Sequence, residues 1–159
     1  MLSDELWMTE AIIEARKAER LGEVPIGAVV VWNDWIIGRG HNLRERDHDP
    51  LAHAEIMAIA QASRFRNAWR LSGCTLYVTL EPCPMCAGAL IQARIDRVVY
   101  AARDPKAGCV HSLIPMLHDT RFNHRVQVSE GVLRESCSQM LSQFFRTLRA
   151  RKKNPPPTD

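Results

Sequence analysis

Residues 74–102 read CTLYVTLEPCPMCAGALIQARIDRVVYAA, a stretch in which strand-like and helix-like patterns alternate. Cys74 to Leu80 is short, apolar and rich in β-branched residues, which predicts a strand. Pro82 opens a predicted helix that runs to about Ala93, because proline is favoured at the first helical position. Arg97 to Ala102 predicts a second strand. A strand, a helix and a strand of these lengths are typical of a parallel βαβ crossover, which we expect to be right-handed.

The flanking segments extend this unit to the order α-β-β-α-β-α-β-β-α. Helices that alternate with strands predict a sheet covered on both faces. A turn at Asn33-Asp34 joins the first two strands, and the last strand alternates as an edge strand does. The remaining predicted strands are Ile26–Trp32, Trp35–Gly40 and Arg125–Ser129, and the remaining helices are a segment from Ser3 to Gly22, Ala52–Ser63 and an apolar stripe from Leu133 to Leu148.

Composition excludes several classes of protein. With 159 residues, the chain is predicted to form a single domain over 1–153 and a disordered, proline-rich tail over 154–159. A hydrophobic share of 46% and a charged share of 25% argue against a mainly disordered chain. The longest apolar run, Ile26 to Trp32, is too short to span a membrane. The acidic start lacks the basic region of a signal peptide, and an odd number of cysteines argues against a disulfide framework, so we expect a cytoplasmic protein.

The net charge of +3 is unevenly distributed. Five basic residues and no acid lie between Arg146 and Lys153, whereas the rest of the chain, with 16 basic and 18 acidic residues, carries a net −2. Such an asymmetry is typical of proteins that bind nucleic acid, but a solubilising tail explains the charge equally well.

Two short motifs combine metal-ligating and acid–base residues: His53-Ala54-Glu55 and Pro82-Cys83-Pro84-Met85-Cys86. Cysteines three residues apart reach one ion, and His53 adds a nitrogen ligand. Three protein ligands with an open fourth position are typical of catalytic zinc. Alternatively, the cysteines are buried or form a redox pair, and Glu55 merely favours a helix N-terminus.

His-x-Glu followed by Pro-Cys-x-x-Cys resembles the signature of the cytidine deaminase-like superfamily. The nearest likeness is to its bacterial tRNA adenosine deaminases, and it covers nearly the whole chain. Beyond the zinc motifs it rests on 23–29, 49–55, 79–89, 102–106 and 144–146. The resemblance implies an α/β fold of three layers, α-β-α, with a mixed five-stranded sheet covered by helices on both faces.

The resemblance also implies a function. One zinc per subunit would be held by His53, Cys83 and Cys86, and Glu55 would transfer protons while water attacks C6 of adenine. The implied partners are the tRNA anticodon stem-loop and a second copy of the chain in a homodimer, with no membrane and no nucleotide cofactor. The residues implied to bind substrate are Ile26, Asn42, Ala54, Asp104, Lys106, Asn123, Phe144, Phe145, Arg146 and Arg149.

The chain departs from the family pattern in the loop Leu43–His48, at Leu51 and at Cys109–His111. These departures bear on loop shape and on contacts with flanking nucleotides. Two other functions stay open. A deaminase of a free nucleobase or nucleotide (guanine, cytosine or deoxycytidylate) has no need of a cationic C-terminus, and a non-catalytic zinc or RNA-binding module has no need of Glu55.

Overall fold

The computed structural model describes residues 2–158. The order of helices and strands matches the sequence prediction, with a short 3-10 helix, Met116–His118, added in the long loop before the last strand. The helices are α1 (Asp4–Arg20), α2 (Ala54–Arg66), α3 (Pro84–Gln92) and α4 (Arg134–Lys153), and the strands are β1 (Gly27–Trp32), β2 (Trp35–His41), β3 (Thr75–Leu80), β4 (Arg97–Ala102) and β5 (Gln127–Glu130).

The five strands form one mixed sheet in the order β2-β1-β3-β4-β5. β1 pairs antiparallel with both β2 and β3, and β3 and β4 pair in parallel, with Thr75 opposite Arg97. β5 adds to β4 in parallel as an edge strand. The parallel βαβ unit and the mixed five-stranded sheet are therefore confirmed.

Alternate residues of the strands pack against different helices. On one face, Val30 and Val78 belong to an apolar cluster with residues of α2 and α3. On the other face, Val29 and Tyr77 belong to a cluster with residues of α1 and α4. The sheet is thus the middle of three layers, as predicted, since the period of two along a strand sends successive side chains to opposite faces.

Local features explain where several elements begin and end. Asn33 and Asp34 both have positive φ, of 51° and 60°, as a tight two-residue turn between β1 and β2 requires. The second predicted helix begins two residues later than expected because His53 has extended backbone angles. Regular structure ends at Lys153. The division into a domain and a disordered tail stays a prediction. No helix within residues 2–158 is long and apolar enough to cross a membrane.

Helix α2 packs unusually close to β2 because β2 presents glycine there. A Cβ on Gly40 would lie 2.2 Å from the carbonyl oxygen of Ala54. We therefore expect Gly40→Ala to lower the free energy of unfolding by about 1–3 kcal/mol, the typical cost of overpacking. Equilibrium urea unfolding of the zinc-loaded protein measures this.

Gly88→Ala is the matched control. Among the described residues, nothing lies within 4 Å of a Cβ built on Gly88, and Gly88 lies inside α3. Alanine there is expected to be neutral or to stabilise by up to about 1 kcal/mol, because glycine disfavours a helix. Equal destabilisation by both substitutions would contradict close packing as the cause.

Candidate active site

A cavity of about 840 Å³ opens where β3 and β4 end. Its floor includes His53, Glu55 and Cys83, and its walls come from the loops after β2 and β4 and from α4. This is the carboxyl edge of the parallel strands, where open α/β sheets usually bind ligands. The predicted substrate-binding residues that line it are Ile26, Asn42, Ala54, Asp104, Lys106, Phe145, Arg146 and Arg149.

His53 and Cys83 occupy equivalent positions at the starts of two helices. His53 is the N-cap of α2 and Cys83 is the N-cap of α3, and both have extended backbone angles. Neither side chain makes a capping hydrogen bond within residues 2–158. Both side chains are therefore available to a ligand at the positive ends of two helix dipoles.

Three ligand atoms meet between these helices. His53 Nδ1 lies 3.5 Å from Cys83 Sγ and 3.7 Å from Cys86 Sγ. The ligand atoms of the three residues all lie within 4.8 Å of one another. One nitrogen and two sulfurs at such separations fit a single zinc ion, since Zn–N and Zn–S bonds of about 2.0–2.3 Å span these distances. The three predicted ligands are thus brought together.

The three side chains of this cluster differ in how firmly they hold a proton. Hydrogen bonds from Cys86 and His53 lower the pKa of the Cys83 thiol to about 4, against the opposing effect of burial. The hydrogen bond to Cys83 raises the pKa of His53. Hydrogen bonding to Cys83 and burial raise the pKa of Cys86. Cys83 thus favours the thiolate, the form of cysteine that binds metals. A metal would have to displace the protons that His53 and Cys86 favour holding.

Glu55 lies beside the cluster in the first turn of α2. It is 4% exposed, and its carboxyl group contacts the Cys86 thiol. Burial raises the pKa of Glu55, opposed by a hydrogen bond with its own backbone and another with Cys86. The side chains of His53 and Glu55 would point in different directions if both residues were inside a helix. They face the same cavity here because His53 precedes the first helical residue. A protonatable carboxyl group therefore lies next to the three ligands.

The C-terminal helix supplies one wall of the cavity. Phe145, Arg146 and Arg149 line it, and Phe145 is 40% exposed. Phe144 points elsewhere, is half-buried and packs edge-on against Phe145 with ring centroids 5.4 Å apart. Adjacent helical residues cannot share one face, and the structure assigns the cavity position to Phe145.

Asn123 lies apart from this cavity. It lines a small polar cavity together with Arg70, Ser72, Arg94 and His124. These residues lie near the beginnings of β3, β4 and β5, at the opposite edge of the sheet. Within one subunit, Asn123 is therefore not brought together with the other predicted site residues.

The cavity also contains residues that sequence reasoning did not assign to it. Arg44 and Arg103 add positive charge to the rim, and Glu81 adds a buried carboxylate. Arg44 lies in one of the departing loops, and Arg103 and Glu81 stand within family-like segments, but a surface arginine and a strand-end acid are too common to single out.

The departing residue His111 has a defined environment. Its ring contacts the Tyr100 hydroxyl and lies 3.4 Å from Glu130 Oε2. Glu130 also forms a bidentate ion pair with Arg103, with contacts of 2.9 and 2.8 Å. His111 thus joins the network that orients Arg103 at the cavity rim.

Comparison with known proteins finds deaminases both among family models and among individual relatives. Residues 2–149 match the MafB19-like deaminase family. The chain is 57% identical over 153 residues to the tRNA-specific adenosine deaminase of Bacillus subtilis (strain 168), which covers 96% of this chain and 95% of that protein.

Two solved structures of deaminases share this fold. One, from a study of A-to-I editing by tRNA:A34 deaminases at the wobble position of transfer RNA, is 41% identical with a TM-score of 0.82, over 86% of this chain and 99% of that one. A guanine deaminase from Bacillus subtilis is 30% identical with a TM-score of 0.63, over 94% of this chain and 95% of that one. Both the sequence identity and the TM-score are thus higher for the structure from the tRNA deaminase study than for the guanine deaminase.

Proposed function

The chain belongs to the MafB19-like deaminase family, and we propose that it converts adenosine to inosine at the wobble position of the tRNA anticodon, with release of ammonia. One observation carries this proposal: a His-Cys-Cys cluster and Glu55 form the floor of a cavity whose wall is a basic helix. The named activity of relatives that span the chain supports the same substrate.

His53, Cys83 and Cys86 would hold one zinc ion per subunit. Their donor set matches open catalytic zinc sites, and two of them border the cavity. When bound, zinc supplies a water that ionises near neutral pH.

Glu55 would move the protons of the reaction. It would accept a proton from the attacking water and pass it to ring N1, and would then take the second proton from the new C6 hydroxyl and deliver it to the leaving amine, as a buried carboxyl beside the reacting carbon can do. The C6–O bond forms and the C6–N bond breaks, so adenosine and water give inosine and ammonia. Ile26 and His53 would pack against the base, Asn42 would contact the nucleoside, and Ala54 would offer its backbone.

The rim of the cavity would bind RNA. Asp104 and Lys106 on one side and Phe145, Arg146 and Arg149 on the other surround the opening. Cations beside an exposed aromatic ring suit a single-stranded backbone and a stacked base. The anticodon loop presents both.

We expect the double substitution Arg146→Gln and Arg149→Gln to weaken binding of an anticodon stem-loop. If both guanidinium groups contact phosphates, the slope of log affinity against log salt becomes shallower by about 1.4, since each contact with a single strand contributes about 0.7. Fluorescence anisotropy across a salt series measures the slope.

Arg121→Gln is the control for this experiment. Arg121 is exposed, pairs with Asp119 at 2.6 Å and lies outside the cavity, so its loss is expected to leave the slope unchanged. An unchanged slope in the double variant would show that Arg146 and Arg149 do not contact RNA phosphates, and would favour the alternative that the basic C-terminal residues only make the protein more soluble.

The experiment that tests the activity compares substrates directly. Ammonia release is measured from an anticodon stem-loop with adenosine at the wobble position, from free adenosine, from cytidine and from guanine. We expect turnover of the stem-loop only. Efficient turnover of guanine would instead favour the activity for which the more distant structural relative is named.

Three further statements belong to this proposal. The enzyme would act as a homodimer, for which exposed apolar residues beside the active-site helices, Leu51, Leu113 and Ile114, offer a contact surface. It would form a single catalytic domain over 1–153 with the remaining residues as a tail. It would work in the cytoplasm, where its tRNA substrate is.

A further inference from the structure

Two glutamates at the edges of the cavity are buried without a cation. Glu23 and Glu81 are each 2% exposed, and within residues 2–158 neither forms an ion pair. A buried carboxylate is costly unless hydrogen bonds satisfy it. Both carboxylates obtain these bonds from main-chain N–H groups of one of the two loops that border the cavity.

The loop that follows β4 folds around the carboxylate of Glu81, which lies just after β3. Its Oε2 accepts hydrogen bonds from the backbone N–H groups of Val110, His111 and Ser112, at 3.1, 2.9 and 2.9 Å. Its Oε1 accepts from the backbone N–H of Asp104 at 3.0 Å and from the Ser112 hydroxyl at 2.5 Å. Both oxygens are therefore fully used by one loop.

The same loop wraps tightly around this carboxylate. A Cβ on Gly108 would lie 2.3 Å from Glu81 Cδ, so only glycine fits there. Five hydrogen bonds from the loop therefore satisfy the buried carboxylate.

This arrangement fixes residues at the cavity. The Asp104 side chain accepts hydrogen bonds from the backbone N–H groups of Lys106 and Ala107. These bonds close a turn directly after the residue whose own N–H is bound by Glu81. Arg103, Asp104 and Lys106 all line the cavity. The positions of these three residues therefore depend on the Glu81 carboxylate, because its oxygens bind the backbone of the loop that carries them.

Glu23 plays the same part on the opposite side. Its Oε2 and Oε1 accept the backbone N–H groups of Glu45 and Arg46 at 3.3 and 2.5 Å. Asn42 completes this loop by accepting the N–H of Arg44 at 3.2 Å. Asn42 and Arg44 line the cavity. Because Glu23 lies outside this loop and binds its backbone, the anchor does not depend on the loop's own side chains.

We propose that Glu23 and Glu81 are positioning residues, each of which fixes one loop at the cavity, so that Arg44 on one loop and Lys106 on the other contact the nucleotides flanking the target adenosine. The role rests on the proposed function. It assigns these two residues to recognition of the flanking RNA, whereas His53, Glu55 and the cysteines carry the chemistry.

The test uses Glu81→Gln and Glu23→Gln in the full zinc-loaded enzyme, with each variant as the control for the other. Hydrogen exchange is followed in peptides covering 43–49 and 104–112, and kcat and KM are measured on the anticodon stem-loop. In Glu81→Gln the amide end of glutamine cannot accept the Asp104 N–H. We expect about tenfold or faster exchange in 104–112 only, a KM raised about tenfold, and a kcat within about threefold of wild type.

Glu23→Gln is expected to give the mirror result, with faster exchange in 43–49 only and a raised KM. Glu19→Gln, which removes an exposed carboxylate paired with Arg16 on α1, is expected to change nothing. Zinc content is measured in every variant and is expected to stay at the wild-type level.

Three results would overturn the role: faster exchange with an unchanged KM, a loss confined to kcat, or exchange that rises in both loops in either variant. If Glu81→Gln does not fold, Ser112→Ala removes one hydrogen bond to Glu81 while leaving its carboxylate in place, and the same pattern at smaller amplitude is required. Failure of the wild-type enzyme to deaminate the stem-loop is a separate result, which overturns the proposed function and this role with it.

Discussion

Glu55→Gln is expected to lower kcat by about 10²- to 10⁴-fold, the usual contribution of a positioned acid–base group. Glutamine nearly matches the size of the carboxyl group but can neither take a proton from water nor return one to the leaving amine. Because Glu55 is not among the three ligands, we expect zinc content and stem-loop affinity to stay at wild-type levels. Single-turnover ammonia release, metal analysis and anisotropy measure the three quantities.

The matched control is Glu10→Gln, which removes a carboxylate from α1 where it pairs with Arg39, away from the cavity. That variant is expected to turn over normally. A Glu55→Gln enzyme with near wild-type kcat would show that another group moves the protons, and the role proposed for Glu55 would be wrong.

Cys83→Ala is expected to reduce bound zinc from about one ion per subunit to nearly none after dialysis, and to remove activity with it. The substitution deletes the sulfur closest to His53 Nδ1 and the thiol with the lowered pKa. Two remaining ligands hold zinc too weakly to survive dialysis, because catalytic sites depend on three. Metal analysis and ammonia release check the result.

Cys74→Ala provides the control, because Cys74 is also buried but lies at the start of β3, at the other edge of the sheet. It is expected to cost stability through a small cavity while zinc and activity remain. Zinc retained by Cys83→Ala at the wild-type level would contradict the proposed ligand set.

The fold was predictable because its signals are local and mutually consistent. The β-branched run before Pro82 and the second apolar run specify a βαβ unit, and the observed β4 has the predicted bounds, Arg97–Ala102. The helix between them begins at Pro84, two residues after the predicted start at Pro82, because Cys83 is its N-cap. The clustering of His53, Cys83 and Cys86 was predictable for the same reason. Each motif is short, and its spacing is set by the first turn of one helix.

The remainder of the site depends on tertiary contacts that no local pattern records. Glu81 reads as an ordinary acid at a strand end until the loop from Asp104 to Ser112 folds around it. Asn123 matches a family position, but its cavity forms at the far edge of the sheet. The choice between Phe144 and Phe145 follows from the rotation of α4 against the sheet, which the apolar stripe defines only approximately.

The two helices that carry the ligands begin without the serine, threonine or aspartate that usually stabilises a helix start by about 0.5–2 kcal/mol. The side chains at these positions, His53 and Cys83, are those that would hold zinc under the proposed function. The ion would join the two helix starts to each other, so the folded state would gain free energy as it binds. Metal supply would then set the stability of the protein as well as its activity.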